Sequence, residues 1–281
     1  MKTGLVLEGG GVRGIYTAGV LDVLGESGIT FDGVMGVSAG AIHGCSFLSG
    51  QHGRSIRYYT KYCRDPRFMS ISSLMKTGDL VGVDFCYHEI PEKLDVYDNK
   101  AFMESGVPFY AVCSNVETGK PEYLQMADMF RDIDILRASA SMPYVSRIVQ
   151  LEGKKYLDGG STDSIPVDAF REMGYERNVV VLTRDLSYRK KPELRMLAKL
   201  KYRRYPAFAA AQANRHREYN RQVERVLELE KEDCIFVIRP SVPPEIGRME
   251  KDPQKVRALY DLGRADALRA MEALENWLKQ E

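Results

Sequence analysis

The sequence lacks a long apolar run, and no stretch approaches the roughly 18 residues that a membrane-spanning helix needs. It also lacks the apolar core of a signal peptide, because Met1, Lys2 and Thr3 lead directly into a short apolar strand. These two absences predict that any contact with a membrane is peripheral, and they favour a cytoplasmic location.

Cysteine is sparse, and its spacing excludes the common disulfide and metal patterns. The five cysteines, an odd number without Cys-x-x-Cys spacing, are Cys45, Cys63, Cys86, Cys113 and Cys234. No other cluster of candidate ligands has the spacing of a metal site. We therefore expect free thiols that act as small core residues, a reducing compartment, and neither a metal nor a cofactor.

The net charge of +1 is small, yet the charge is unevenly distributed. Residues 184–225 carry thirteen Lys and Arg against four Asp and Glu, a net charge of +9 that leaves −8 for the rest. This segment fits either a solvated helical face or a surface that docks on anionic membrane, with Tyr202, Tyr205 and Phe208 as interfacial aromatics. A second basic strip with interleaved tyrosines, residues 54–62, belongs to no recognised nucleic-acid module. It is interpreted as a solvated helix face, and no nucleic-acid partner is predicted.

Apolar patterns typical of strands and helices alternate over the first two thirds of the chain. The predicted strands are residues 4–8, 31–37, 107–114 and 178–183, and the predicted helices are residues 14–26, 39–48 and 133–139. This order predicts an α/β fold with a largely parallel sheet. The later part is mostly helical, with one strand at 234–239 and a long helix at 254–278. We therefore predict an N-terminal domain, residues 1–184, and a mostly helical extension packed on it, residues 185–281.

The first strand leads into the sequence EGGGVRG, in which glycines 9, 11 and 14 match the Gly-x-Gly-x-x-Gly turn of dinucleotide-binding proteins. The N–H groups of such a loop suit any anion near a helix N-terminus, so the loop alone leaves the ligand open. A dinucleotide site needs an acidic residue at the end of the next strand to bind the ribose hydroxyls. Asp32 has about the right spacing but starts that strand, which counts against a dinucleotide.

The second strand ends in Gly36-Val37-Ser38-Ala39-Gly40, which fits Gly-x-Ser-x-Gly between a predicted strand and a predicted helix. The small residues let the chain turn sharply and place Ser38 at a helix N-terminus, as a nucleophilic serine requires. Attack on an ester puts negative charge on the carbonyl oxygen, which N–H donors stabilise. The candidate donors are the N–H groups of Gly9, Gly10 and Gly11. Arg13 either adds positive charge near the same oxygen or anchors the loop to a carboxylate.

A nucleophilic serine needs a base, but the chain has only four histidines. His43 lies five positions beyond Ser38 on the same predicted helix, too far round to reach back. His216 lies inside a basic stretch whose charges disfavour its protonation. Another candidate stretch is Tyr156-Leu157-Asp158-Gly159-Gly160, an apolar stretch that ends in an aspartate and two glycines. Taken alone, this pattern is typical of a turn.

Four blocks in this order resemble the motifs of the patatin-like phospholipase family. They are residues 9–14, 36–40, 138–143 and 158–160. The resemblance is close over about residues 4–168. The tail, through RYPAF, ANRHREYN and FVIRPS, resembles the C-terminal extension of a bacterial subgroup.

The resemblance implies a three-layer α/β fold with a mainly parallel central sheet, and it implies roles for single residues. Ser38 would be the nucleophile and Asp158 its base in a Ser-Asp dyad. Gly10 and Gly11 would lie in the oxyanion hole, with Gly9 and Arg13 in support. The missing catalytic histidine would then be explained.

These observations together predict a serine hydrolase that cleaves carboxylic esters of lipids or phospholipids through an acyl-serine intermediate. Two alternatives stay open. One is a dinucleotide-binding oxidoreductase that uses the loop at residues 9–14, and the other is a non-catalytic regulatory protein of the same fold. The presence of both Ser38 and Asp158 counts against the second alternative.

Overall fold

The fold is built around a mixed, mostly parallel β-sheet, as seen in a computed structural model that describes residues 1–280. The strands are β1 (Thr3–Leu7), β2 (Gly33–Val37), β3 (Phe109–Asn115), β4 (Lys120–Met126), β5 (Val149–Leu151), β6 (Lys154–Asp158), β7 (Arg177–Val181) and β8 (Ile235–Ile238). Their order is β5-β6-β3-β2-β1-β7-β8, and β4 also pairs with β3. The five strands from β3 to β8 in this order are parallel, whereas β4, β5 and β6 pair antiparallel.

Helices follow most of the strands and form the outer layers. They are α1 (Ile15–Glu26), α2 (Ala39–Leu48), α3 (Arg54–Tyr62), α4 (Ile71–Thr77), α5 (Asn99–Glu104), α6 (Ile133–Ser139), α7 (Val167–Glu172), α8 (Arg195–Lys201), α9 (Pro206–Lys231) and α10 (Pro253–Leu278). A π-helical segment spans Asp84–Leu94, and 3₁₀ turns span Gly11–Gly14 and Gly159–Ser161. The predicted α/β fold with a helical C-terminal part is confirmed.

Alternating side chains of the parallel strands explain why the sheet is covered on both faces. Leu5 and Leu7 of β1 pack into one apolar core with α1, α2, α3 and α10, whereas Val6 packs into a second core with α7 and α9. Successive side chains of a strand point to opposite faces, so an uninterrupted apolar strand needs helices on both sides. The result is the three-layer arrangement that the family resemblance implied.

The C-terminal part of the chain adds to both helical layers and to the sheet. Strand β8 pairs in parallel with β7, and α10 packs along α1. Two buried hydrogen bonds join these helices, from Tyr260 to Asp22 (2.6 Å) and from Tyr16 to Asp266 (3.1 Å). The division of the chain between residues 184 and 185 stays a prediction.

Two expectations about surface residues are wrong. Tyr58, Tyr59 and Tyr62 of α3 are buried rather than solvated, because α3 turns its aromatic face toward the core and Phe68. Tyr202 and Phe208 are buried as well, with their rings in edge contact, so they are not interfacial aromatics. Within residues 1–280, no helix combines the length and the apolar character that crossing a membrane requires.

Candidate active site

Ser38 lies at a sharp turn between β2 and α2. Its φ of 54° and ψ of −121° belong to a region that residues with a side chain rarely adopt, so the turn is strained. The chain also passes close to β1 here, because a Cβ at Gly40 would lie 2.5 Å from the carbonyl oxygen of Leu7. The hydroxyl of Ser139 accepts a 2.9 Å hydrogen bond from the N–H of Ser38. The turn therefore presents the Ser38 side chain at the N-terminus of α2.

Asp158 lies close to Ser38 because β2, which leads to Ser38, and β6, which ends at Asp158, both pair with β3. Val37 pairs with Val112 of β3, and Asp158 pairs with the next residue, Cys113. The hydroxyl of Ser38 donates a 2.6 Å hydrogen bond to Oδ2 of Asp158, and both side chains are buried. A carboxylate in this position can accept the hydroxyl proton if the oxygen attacks an electrophile.

The carboxylate of Asp158 is oriented by the turn that follows it. Its Oδ1 accepts a 2.8 Å hydrogen bond from the N–H of Gly160 in the 3₁₀ turn Gly159–Ser161. The hydroxyl of Ser114 donates to the carbonyl oxygen of Asp158 at 2.8 Å. The Asp-Gly-Gly turn thus leaves Oδ2 directed at Ser38. The catalytic roles predicted for Ser38 and Asp158 stay predictions.

Neither histidine considered from the sequence forms a hydrogen bond with Ser38 within the described part of the chain. His43 is buried, and its Nδ1 lies 2.9 Å from the hydroxyl of Ser55. Burial, and to a lesser extent the charge of Arg54, lowers the pKa of His43 to about 3. His43 is therefore neutral at physiological pH. His216 is half-buried on α9 and does not line the cavity that contains Ser38.

The glycine loop lies directly against Ser38. A Cβ at Gly9 would lie 3.1 Å from the Cβ of Ser38, and Gly11 has a φ of 58°, in the region that favours glycine. No acceptor in residues 1–280 pairs with the N–H groups of Gly9, Gly10 or Gly11, which all line the cavity that contains Ser38. These free donors have the chemistry required to bind an oxyanion.

A buried carboxylate holds the start of this loop in place. Oε2 of Glu8 accepts hydrogen bonds from the N–H (2.6 Å) and hydroxyl (3.1 Å) of Thr183, and Oε1 accepts one from Tyr219 of α9 (2.8 Å). The donors to both carboxylate oxygens come from Thr183, just after β7, and from α9. The glycine loop is therefore anchored by Glu8 rather than by Arg13.

Arg13 is buried and faces the cavity. It forms no ion pair within residues 1–280, and its Nε has no hydrogen-bond partner there. Burial, followed by the nearby charges of Arg184 and Arg248, lowers the pKa of Arg13 to about 10. Arg13 is still charged at neutral pH, with the charge of Glu8 partly offsetting this lowering of its pKa. Of the two roles left open by the sequence, this arrangement favours positive charge beside the loop.

Two cavities of different character meet at Ser38. The larger, about 570 Å³, is lined by the glycine loop, Asp158 and several cations. The smaller, about 110 Å³, is lined mainly by apolar and aromatic side chains, among them Ile42, Phe68 and Leu136. Ser38 lines both cavities, so a group bound at its hydroxyl can extend in two directions.

Four cationic residues of the larger cavity were not assigned to the site from the sequence. They are Arg184, Lys190, Arg215 and Arg248, all beyond the four sequence blocks. The signal that could have indicated three of them was the basic segment 184–225, which was interpreted as a surface. The structure turns part of that segment inward, since Arg215 donates a hydrogen bond to the carbonyl oxygen of Gly160.

The position of Asp32 counts further against dinucleotide binding. Asp32 accepts a 2.7 Å hydrogen bond from the N–H of Thr3, at the start of β1 and β2. It therefore lies at the opposite edge of the sheet from the glycine loop, too far away to bind the ribose of a cofactor at that loop. Within residues 1–280, no group of three His, Cys, Asp or Glu side chains is placed to hold a metal ion.

Comparison with known proteins assigns the chain to a family. The family model described as Patatin-like phospholipase matches residues 5–171, more than half of the chain, so the chain belongs to the patatin-like phospholipase family. A second model, described as a domain of unknown function (DUF6363), matches residues 205–279.

Individual relatives match only part of their own length. The uncharacterized protein YjjU of Escherichia coli K12 is 32% identical over 186 residues, 65% of this chain and 52% of that protein. Lysophospholipase nte1 of Aspergillus fumigatus is 30% identical over 177 residues, 61% of this chain and 11% of that protein. The chain thus spans about half of the bacterial relative and a small part of the fungal one. The crystal structure of VipD from Legionella pneumophila matches with a TM-score of 0.46 and 13% identity, over 97% of this chain and 67% of that one.

Proposed function

We propose that the protein is a lipid acyl hydrolase that cleaves carboxylic esters through an acyl-serine intermediate. The observation that carries this proposal is the 2.6 Å hydrogen bond from Ser38 to Asp158, beside three free N–H donors of the glycine loop. Membership of the patatin-like phospholipase family and similarity to proteins named lysophospholipase support a lipid ester as substrate.

The proposed reaction has two halves. In the first, Oγ of Ser38 attacks the ester carbonyl carbon, and its proton passes to Oδ2 of Asp158. The N–H groups of residues 9–11 stabilise the negative carbonyl oxygen, and the leaving alkoxide takes the proton from Asp158 as the ester bond breaks. In the second half, a water molecule gives its proton to Asp158 and attacks the acyl-serine. The fatty acid leaves, and the proton returns to Ser38.

A fluorophosphonate probe tests the proposed nucleophile. The folded protein should be labelled on Ser38, as located by mass mapping, and it should hydrolyse a short p-nitrophenyl ester. Ser38→Ala should abolish labelling and lower kcat by at least about 10³-fold, because it removes the atom that attacks. Its Tm should stay near that of the wild type, since alanine keeps the Cβ and the backbone. Full hydrolysis by well-folded Ser38→Ala protein would contradict the proposal.

We further propose that the surface of α8 docks on anionic lipid. Four large apolar side chains, from α8 and the residue before it, are more than half exposed. They are Leu194, Met196, Leu197 and Leu200. Leu194 and Leu197 also line the mouth of the larger cavity, so docking would place lipid at its entrance. Within the described residues, the exposed cations Arg195, Lys199 and Lys201 form no ion pair and are free to face lipid phosphates.

A further inference from the structure

The larger cavity contains an unusual concentration of positive charge. Five cations line it, and only one of them comes from the N-terminal blocks. They are Arg13, Arg184, Lys190, Arg215 and Arg248. Arg184 ends the predicted N-terminal domain, and the other three come from the C-terminal part of the chain, which completes the cavity wall beside Ser38.

These five cations outnumber the carboxylates that line the same cavity, which are Glu8, Asp158 and Glu193. Within residues 1–280, none of the five forms an ion pair. The three carboxylates that line the cavity accept hydrogen bonds from other groups. Glu8 pairs with Thr183 and Tyr219, Asp158 with Ser38 and Gly160, and Glu193 with Gln212.

Three other cations of the basic segment 184–225 do form ion pairs. Arg189, Arg221 and Arg225 point away from the cavity, and each forms an ion pair with a carboxylate of α7 or α9. The contrast separates two groups of basic residues. The outward group forms ion pairs with neighbouring acids, whereas the cavity group forms none and keeps a net positive charge, because five cations face three carboxylates.

The cavity cations also lower one another's pKa values. Burial, followed by the charges of Arg215 and Arg248, lowers the pKa of Lys190 to about 7. The ring of Tyr219 lies 4.4 Å from Nζ of Lys190, and the ring of Tyr188 lies 4.1 Å from Cζ of Arg184. Two hydrogen bonds between the backbone of Lys190 and the side chain of Asn220 hold this segment on α9. Like charges are thus fixed near one another in a partly desolvated space, an arrangement that a bound anion stabilises.

The smaller cavity has apolar walls that suit the acyl chain of an ester. Its walls include Phe68, Met69 and Ile90, and it meets the larger cavity at Ser38. An acyl chain would lose contact with water there, which is favourable by about 0.8 kcal/mol for each CH₂ group. The alcohol part of the ester would then extend into the basic cavity.

We propose that the basic cavity is a subsite for the phosphate of a phospholipid, on the alcohol side of the ester, and that it favours anionic over zwitterionic headgroups. This inference rests on the proposed function, because it assumes that the acyl group is attached at Ser38. The cavity would attract the phosphate of either lipid, but its net positive charge would repel the cation of a choline or ethanolamine headgroup. The C-terminal part of the chain then determines headgroup preference.

Monomeric substrates separate this subsite from docking on a membrane. Dihexanoyl phosphatidylglycerol and dihexanoyl phosphatidylcholine are compared below their critical micelle concentrations, so that no lipid surface is present. The wild type should have a kcat/KM for the anionic lipid at least about tenfold higher, a difference of about 1.4 kcal/mol. The double variant Lys190→Gln, Arg248→Gln should reduce this ratio to about threefold or less, since it removes the charge of Arg248 and that of Lys190, whose pKa of about 7 leaves it partly protonated at neutral pH.

Arg221→Gln is the matched control. It removes one positive charge from α9, but on the outward side, where Arg221 pairs with Glu218. It should leave the ratio at the wild-type value. A wild-type ratio near one, or an equal fall in Arg221→Gln, would overturn the subsite.

Binding to Ser38→Ala protein distinguishes this proposal from the proposed function. Isothermal titration of that inactive protein should show tighter binding of the phosphatidylglycerol than of the phosphatidylcholine, whether or not the wild type hydrolyses esters. Equal binding of the two lipids overturns the subsite even if the wild type is an esterase. Inorganic phosphate and glycerol 3-phosphate form the third arm. If either binds as tightly as the anionic lipid, the cavity recognises free phosphates, and its assignment to a lipid headgroup is wrong.

Discussion

Ser38 keeps an unfavourable backbone conformation because its surroundings leave no alternative. A non-glycine residue at a φ of 54° and ψ of −121° costs of the order of 1–3 kcal/mol. The hydrogen bond from its N–H to Ser139 and the close approach of Gly40 to β1 hold the turn. In the proposed mechanism, this strain keeps the hydroxyl directed at Asp158 before substrate arrives.

Asp158→Asn tests which residue acts as the base. Asparagine keeps the size of the side chain but cannot accept the serine proton, so kcat should fall by about 10²- to 10⁴-fold. The Tm should change little. The measurement is steady-state hydrolysis of a short p-nitrophenyl ester, with circular dichroism to verify folding.

Histidine variants are the controls for that test. His43→Gln keeps most of the volume of a buried side chain, and His216→Gln changes a half-buried one. Both proteins should retain most of the wild-type activity, because neither histidine forms a hydrogen bond with Ser38 in the described structure. A loss in folded His216→Gln as large as that in Asp158→Asn would show that the proposed base is wrong.

Helix α9 is the element that connects the C-terminal part to the site. Its Tyr219 binds Glu8 before the glycine loop, and its Arg215 binds the carbonyl oxygen of Gly160 after Asp158. Its Gln222 accepts hydrogen bonds of 3.1 Å from the N–H groups of Ser164 and Ile165. One helix therefore restrains both loops that surround Ser38.

The buried carboxylate of Asp163, which is hydrogen-bonded to α9, makes the free energy of unfolding depend on pH. Asp163 accepts 2.8 Å hydrogen bonds from Gln222 of α9 and from Tyr123 of β4. Burial, with a contribution from Glu218, raises the pKa of Asp163 to about 6. The folded state therefore favours the protonated form of this acid. The resulting stabilisation is fully present below the usual pKa of 3.8 and is lost as the pH rises through about 6.

Asp163→Asn should therefore stabilise the protein at high pH. The neutral amide removes the cost of a buried charge, so the free energy of unfolding at pH 8 should rise by about 1–3 kcal/mol. Near pH 4 the gain should vanish, because the wild-type carboxyl is then protonated. Urea unfolding of the variant and the wild type at several pH values measures the gain at pH 8 and its loss near pH 4. The control is Asp168→Asn, which breaks a partly exposed ion pair with Arg225 and should change stability little at either pH. A gain for Asp163→Asn that is independent of pH would contradict this account.

At the scale of the whole molecule, the proposed docking surface at α8 lies beside the larger cavity, and the two cavities meet at Ser38. The apolar residues of α8 border the basic cavity, which in turn reaches Ser38. A lipid entering from a membrane would meet apolar side chains first and cations next. This order suits a substrate that has acyl chains and a phosphate.

Vesicle co-sedimentation tests the docking surface. Binding should increase with phosphatidylglycerol content and fall steeply with salt, because exposed cations near a charged membrane are screened within about 8 Å at physiological salt. The variant Met196→Ser, Leu200→Ser, Lys199→Gln, Lys201→Gln should bind at least about tenfold more weakly, since it loses two apolar anchors and two charges. It should still hydrolyse a soluble ester.

Leu268→Ser is the control for this variant. Leu268 is 59% exposed on α10, which packs against the other face of the sheet from α9. Its replacement should leave vesicle binding unchanged. Binding that ignores lipid charge and salt would identify α8 as an ordinary solvated surface.

Local patterns in the sequence were sufficient to predict much of this fold. The Gly-x-Ser-x-Gly turn predicted the strand and helix on either side of Ser38, and the apolar periodicity of residues 254–278 predicted α10 nearly to its ends. These features depend on neighbours within a few residues, and backbone sterics and side-chain spacing therefore specify them directly. The approach of Asp158 to Ser38 was predicted only through family resemblance, because it depends on two distant strands pairing with β3.

The sequence by itself determined the alternation of the parallel strands with their helices, the sharp turn at Ser38 and the positions of its glycines, because each follows from local steric and periodic constraints. The antiparallel strands β4, β5 and β6 were not predicted. Only the tertiary structure decided which basic residues face inward. Lys190 and Arg221 belong to one basic segment, yet one lines the cavity and the other pairs with Glu218 outside. The tertiary structure also buries Tyr202 and Phe208, which the sequence patterns predicted to lie at a surface. The physical reason is that the inward face of a segment is set by the distant elements packed against it.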